Sequence, residues 1–469
     1  MKMEQVKLST EKQAENVTKE MNSNEEIAQN EEDIFDSMKH SKEDEHFIVK
    51  TETPKEIGIE NLVEDNDLIS KDLTWEEVGI RKEIIEGLME MGFIKPSKIQ
   101  STCYPLIMRE PFSHLIAQAK NGAGKTGAFG LGVISRVDEN DPSIQAIIFG
   151  HTRELVNQIK DVLSKIAKYT KIKVTSLQMT DKYKELGQVV VITPGHFDNI
   201  FLKRKVYSIS KLKMLVLDEA DYLLTNDVTQ RVIDKTFKYF YDNRLKTQIL
   251  FFSATFTEEN FKSIKKYYKK ANMIEIKKEE LTLTNVKQVF FNSQKREEKV
   301  NFIAEYLKKQ WQQERVIIFV NTRDYNVKLS EKLRAMGYKV YVLQGGDMDP
   351  KNRDETIKHF NQGNIQILLT TNVLARGFDE KLVQLVINFD IPDKKDKNGQ
   401  YVADPETYLH RIGRTGRFGT KGIGLSLVAG ERDLQFLKQI ESYYQSKIEE
   451  IKSLEDLDRE RKEFFYKDY

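Results

Sequence analysis

The stretch Ala119-Lys120-Asn121-Gly122-Ala123-Gly124-Lys125-Thr126 follows the short apolar run His114–Ala117 and precedes the helix-like pattern Gly127–Val137. Small residues here let backbone N–H groups curl around a phosphate at a helix N-terminus, where the dipole favours negative charge. Lys125 is then placed to reach the terminal phosphates and the Thr126 hydroxyl to ligate Mg²⁺. A strand, a small-residue loop and a helix in that order predict an α/β domain with a parallel sheet.

Similar units recur on both sides. Candidate buried strands are Ala146–Phe149, Val189–Ile192, Met214–Leu217 and Gln248–Phe252, each followed by a loop and an amphipathic pattern. A second series runs Lys287–Phe291, Val316–Phe319, Val340–Leu343, Ile365–Thr370, Val383–Asn388 and Gly424–Val428. The polar stretch Lys277–Asn285 between them reads as a linker. The expected organisation is an acidic extension over 1–70, one lobe over 71–276, the linker over 277–285, a second lobe over 286–455 and a tail over 456–469.

Composition agrees. Residues 1–70 hold 19 acidic residues against 8 Lys, so the remainder of the chain carries about +12, which suits a polyanionic partner. Residues 1–45 lack Trp and Tyr and are expected to be disordered, with one candidate short helix at Asp33–Met38. No run approaches the roughly 18 apolar residues of a membrane span. With no apolar signal segment and Cys103 as the sole cysteine, the expectation is an intracellular protein without disulfides.

Phosphate chemistry needs carboxylates on a neighbouring strand. Met214-Leu-Val-Leu-Asp218-Glu219-Ala220-Asp221 supplies them at a strand's C-terminal end: Asp218 for Mg²⁺, largely through water, and Glu219 to polarise the attacking water. In the second series, His410-Arg411-Ile-Gly-Arg414-Thr-Gly-Arg417 places several guanidiniums on one short element. Arg414 and Arg417 are expected to act as fingers on the terminal phosphate when the lobes close. Gly377 and Asp379, after a strand, are candidates for the ribose.

These residues resemble the DEAD-box RNA helicase family from about residue 73 to about 455. Asp218-Glu219-Ala220-Asp221, Ser253-Ala254-Thr255 and His410–Arg417 stand in the family's wording and order. The resemblance implies two tandem RecA-like lobes, ATP with Mg²⁺, and coupling between lobes through Asp221, Ser253, Thr255 and His410. Gly92-Phe93-Ile-Lys-Pro96-Ser97-Lys-Ile-Gln100 resembles the adenine-reading segment. That likeness implies adenine contacts from Gln100 and Phe93, with Ser97 and Trp75 beside them.

For RNA, Thr152, Arg153 and Glu154, then Thr193, Pro194 and Gly195, resemble lobe 1 motifs. Thr322, Arg323, Gly346, Arg353 and Thr370 resemble those of lobe 2. They imply a sugar–phosphate grip with little base preference. Three departures fall on the RNA side of lobe 1: His151 for the usual Pro, His196 for the usual Arg, and no paired glycines near Gln178-Met179-Thr180.

The phrases Lys95–Gln100, Lys277–Gln288, Thr370-Thr-Asn372-Val and Val386–Pro392 are similar to the nuclear-pore mRNA-export subgroup. That likeness implies action on messenger ribonucleoprotein at the cytoplasmic face of the pore; separately, a monomer is expected. It also implies a nucleoporin β-propeller on lobe 1 and an activator with inositol hexakisphosphate on lobe 2. A helicase of translation initiation or ribosome assembly, a DNA helicase, and an RNA scaffold latched by ATP stand as alternatives.

Overall fold

The computed structural model describes residues 73–119, 122–177, 185–268, 271–274, 285–310, 314–344, 350–372, 383–396, 398–416 and 420–466. The acidic extension and its candidate helix, most of the linker, and the segment Gln178–Thr180 lie outside them. Among the described residues no helix is long and apolar enough to cross a membrane.

Two seven-stranded parallel sheets carry the architecture. The first contains β1 (His114–Gln118), β2 (Ala146–Phe149), β3 (Val174–Leu177), β4 (Val189–Ile192), β5 (Met214–Asp218), β6 (Gln248–Ser253) and β7 (Ala271–Ile274). They lie in the order β3-β4-β2-β5-β6-β1-β7. The second contains β8 (Val286–Ser293), β9 (Arg315–Phe319), β10 (Val340–Leu343), β11 (Ile367–Thr370) and β12 (Val383–Asn388). After the antiparallel pair β13 (Asp393–Lys395) and β14 (Tyr401–Ala403), it closes with β15 (Gly422–Ala429) and β16 (Glu449–Ile451). Its order is β10-β11-β9-β12-β15-β8-β16. The expected tandem parallel-sheet fold is borne out.

Central strands form because their side chains are apolar on both faces: every residue of β2, β4 and β6 is buried, as helices on each side of the sheet require. Full burial of each Val, Leu or Ile contributes about 1.5–3 kcal/mol. The ends of the sheets differ. β7 is half-buried throughout and β3 nearly so, without the continuous apolar run that marks an inner strand.

The second lobe extends beyond residue 455. Helix Leu454–Tyr466 packs on β8 and β16, burying Leu454 and Leu457, and Arg461 pairs with Glu314. The presumed tail thus contributes its first turns to the core.

Three strands of the first sheet end at one edge. β1 lies beside β6 and β6 beside β5, so Gln118 pairs with Ser253 while Asp218 pairs with Phe252. The phosphate loop, Ser253-Ala254-Thr255 and the carboxylates therefore emerge side by side, each about 4.8 Å from the next strand.

Candidate nucleotide and RNA site

At the end of β1 the chain turns through Gly122 (φ +78°) and Gly124 (φ +94°) into helix Lys125–Arg136, with Gly124 as its N-cap. The left-handed backbone at Gly124 requires glycine, and a Cβ there would press on Gln100 Nε2 at 2.9 Å. Lys125, nearly buried, donates from Nζ to Ala119 O at 2.7 Å, and Ala119 N donates to Ser253 O at 3.0 Å. Lys120 and Asn121 lie outside the described residues.

Gln100 does more than the adenine contact its motif implies. Its Oε1 accepts from Ser97 N at 2.8 Å, capping its own helix Lys98–Met108, while Nε2 leans on Gly124 O at 3.4 Å. One carboxamide thereby ties the start of helix Lys98–Met108 to the glycine-bearing loop before Lys125. Gln100→Ala removes both part-buried contacts, each worth about 0.5–1.5 kcal/mol. A roughly tenfold loss of nucleotide affinity is expected in equilibrium titration with a fluorescent ATP analogue; an unchanged affinity would remove the brace.

Trp75 corrects an expectation. It is 1% exposed in the lobe 1 core, and its indole N–H donates to Phe93 O at 2.8 Å. A ring enclosed in this way cannot stack on a base. It holds the turn that presents the half-buried Phe93.

β5 delivers Asp218 and Glu219 to the same edge. Glu219 adopts φ +53°, ψ +50°, a left-handed conformation that costs a non-glycine residue on the order of 1 kcal/mol or more. That turn lets Glu219 N donate to Asp218 Oδ1 at 3.0 Å. Burial, and then the Glu219 carboxylate, push Asp218 up to about 7, only partly opposed by Lys125. A buried carboxylate pair of this kind gains from a bound cation. Together with the glycine-shaped loop and Lys125, the donor set fits a magnesium-bound nucleotide phosphate.

Asp221 faces the other lobe. Its Oδ2 accepts from Thr255 Oγ1 at 2.9 Å and lies 3.3 Å from His410 Nε2, while Asn260 Nδ2 donates to its carbonyl at 3.1 Å. His410, fully buried, also places Nδ1 3.7 Å from Glu219 Oε2. The lobe 1 carboxylates and the lobe 2 histidine thus meet across the cleft, with Ser253 buried alongside and its Oγ accepting from Thr255 N at 3.4 Å.

His410 belongs to helix Pro405–Ile412, started by Asp404, whose side chain accepts from Thr407 N. One turn later Arg414, 2% exposed, donates from Nε to His410 O at 3.0 Å. Arg417, Gly377, Asp379 and Gly346 lie outside the described residues.

Sequence reasoning gave no separate part to Arg411. Its guanidinium is fully buried and donates to Asn372 Oδ1 (3.0 and 2.6 Å), Asn321 Oδ1 (2.8 Å) and Asp390 O (2.8 Å). Burial lowers it to about 10. Arg411 thus ties the last turn of helix Pro405–Ile412 to the loop ends that carry Asn321 and Asn372.

The two lobes repeat one device. Thr152 caps helix Arg153–Ile166 through Leu155 N, and Thr322 caps helix Arg323–Ala335 through Tyr325 N. Each cap is followed by Arg at the first helical position, where N–H groups and dipole favour a phosphate. Thr193 is the N-cap residue of the turn Pro194–Phe197, and a Cβ on Gly195 would meet open space. Thr370 is a second correction. It is fully buried and donates from Oγ1 to Thr371 O at 3.1 Å, so it shapes its loop from below. Glu154 and Arg353, both expected on the RNA side, pair with each other across the cleft.

The DEAD/DEAH box helicase model matches residues 97–264, and the helicase conserved C-terminal domain matches 298–419. An ATP-dependent RNA helicase DBP5 of Debaryomyces hansenii is 37% identical over 419 residues, covering 88% of this chain and 83% of that relative. The chain belongs to the DEAD-box ATP-dependent RNA helicases. It is an RNA-dependent ATPase, and the DBP5 group is the branch it matches.

Two solved structures of one relative add a geometric point. S. cerevisiae Dbp5 bound to RNA and ADP BeF3 is 35% identical, covers 83% of this chain and 98% of its own, and superposes with a TM-score of 0.76. A variant bound to Nup159, Gle1, IP6 and ADP, at 33% identity, covers 83% of this chain and 100% of its own with a TM-score of 0.58. Nearly the same coverage with a different score means the lobe arrangement here is nearer the RNA-bound form. The His410–Asp221 contact is what that arrangement brings together.

Proposed function

We propose that this helicase is an ATP-gated clamp that remodels messenger ribonucleoprotein during export at the cytoplasmic face of the nuclear pore complex. The observation that carries the reading is the reach of His410, on the helix just before Arg414, to Asp221 and Glu219 beside the phosphate loop. Bound ATP supplies a γ-phosphoryl group whose transfer to water is the free-energy source, with Mg²⁺ neutralising its charge. Ala119–Gly124 cradle the phosphates, Lys125 reaches the terminal ones, and Thr126 with Asp218 would hold the metal, largely through water. Phe93, Ser97 and Gln100 take the adenine end, while Gly377 and Asp379 would take the ribose.

Glu219 orients and polarises the attacking water. Arg414 and Arg417 arrive only on closure, so hydrolysis waits for the lobes to meet. Thr152, Arg153, Thr193, Gly195, Thr322, Arg323 and Arg353, with Gly346 by its motif, grip the sugar–phosphate backbone of single-stranded or locally paired RNA. Closure strains that strand enough to dislodge a paired strand or a bound protein.

The S. cerevisiae Dbp5 structure with Nup159, Gle1 and IP6 supports a nucleoporin and an inositol hexakisphosphate-bound activator as partners. Steady-state ATPase with and without single-stranded RNA, and with matched DNA, tests the core of the proposal. At least tenfold stimulation by RNA and little by DNA is expected. Equal turnover in all three would overturn it.

A further inference from the structure

We propose that His151 and Tyr222 form a positioning pair through which RNA held at Thr152 and Arg153 steadies the hydrolytic carboxylates. The role rests on the sugar–phosphate grip read for Thr152 and Arg153. The two rings meet in lobe 1 with centroids 4.8 Å apart and planes inclined at 50°, and both residues are half-buried. Aromatic rings at that spacing attract each other beyond the area they bury.

Sheet order brings them together. β2 lies beside β5, with Phe149 opposite Leu217, so the two following loops emerge next to each other. His151 is carried on a short, pinned segment. Gly150 N donates to Ile192 O at 3.2 Å, and a Cβ on Gly150 would stand 3.3 Å from Leu155 Cγ. One residue beyond His151, the Thr152 hydroxyl accepts from Leu155 N at 3.2 Å and starts helix Arg153–Ile166. A phosphate seated on that helix start therefore fixes the imidazole as well.

Tyr222 sits on the six-residue helix Ala220–Thr225, directly after Asp221. Its N donates to Glu219 O at 3.1 Å, closing the turn on which Glu219 takes its left-handed backbone. Successive helical residues point about 100° apart, so Asp221 faces Thr255 and His410 while Tyr222 faces the β2 loop. Any rotation of this short helix moves Glu219 and Asp221 together. The imidazole against Tyr222 opposes that rotation, most firmly when RNA holds its loop. The family's usual Pro at this position has no aromatic face, so the ring pair belongs to this chain's own wording.

The test is steady-state ATPase of the full chain at saturating ATP, titrated with oligouridylate. An aromatic pair is worth about two- to tenfold in a rate it controls. His151→Ala is expected to lower RNA-saturated turnover at least threefold while moving the half-saturating RNA concentration less than threefold. His151→Phe, which keeps a ring, should regain at least half of that loss on a logarithmic scale. Tyr222→Ala should also lower turnover at least threefold, and the double variant should fall no more than twofold below the worse single one. A smaller loss in either alanine variant, a larger shift in half-saturating RNA, a Phe variant that regains less, or a double variant that falls further each overturns the proposal. Thermal melting identifies an alanine variant that fails to fold, and His151→Gln, of similar length but without a ring, then carries the same expectation. Arg153→Ala in the same titration should raise the half-saturating concentration at least threefold; if it does not, the grip reading itself falls, whatever the ring variants do.

Discussion

Arg414→Ala is expected to lower RNA-stimulated ATP turnover by about a thousandfold or more while leaving nucleotide affinity within about threefold. A guanidinium that meets a transferring phosphoryl group only after closure is worth 10³–10⁵ in rate, about 4–7 kcal/mol. The geometry favours that role for Arg414. Its Nε is held by His410 O, which aims the outer edge of the fork, and His410 itself lies against Asp221 and Glu219. Burial to 2% means that the charge acts where water screens it poorly. Affinity should change little because the cradle, Lys125 and Gln100 all belong to the first lobe. Arg417→Ala is expected to behave alike. Single-turnover hydrolysis with saturating RNA checks both, and a rate within threefold of wild type would remove the finger assignment.

Much of this site was legible because its elements are local. An apolar run such as Leu115–Ala117 in β1 or Met214–Leu217 in β5, then a loop and a helical pattern, follow one another in the chain, and burial on both faces leaves few other ways to fold them. Where burial is partial the signal fades. β3 and β7 lack the continuous apolar run, and β13 with β14 sits inside a charged insert turned by Asp396 and Gly399. Motifs also name a constellation without saying which members face the ligand. Trp75 and Thr370 belong to their motifs yet are enclosed, each supporting a neighbour that is more exposed or shapes the loop. Contacts between lobes were hardest to foresee. His410 could be assigned to coupling by its motif, but the Glu154–Arg353 pair exists only once two separate sheets are brought together.

Glu219→Gln separates closure from chemistry. The substitution keeps the shape of a side chain whose backbone already occupies a left-handed conformation, so the turn carrying it need not change. Asp221 retains its contacts with Thr255 and His410, and closure on RNA should survive. What disappears is the carboxylate that polarises water, a contribution of about 10²–10⁴ in rate. The change also removes the Glu219 charge that, after burial, holds Asp218 up near 7. Asp218 then ionises more readily, so its hold on a cation should be no weaker. With hydrolysis slowed and the cation retained, the clamp has no exit. The expected result is turnover reduced at least a hundredfold together with RNA dissociation slowed at least tenfold, read from a fluorescent oligouridylate chased with unlabelled RNA in the presence of ATP. Lost hydrolysis accompanied by fast RNA release would mean that Glu219 is needed to close the lobes, and its assignment to the hydrolytic step would fall.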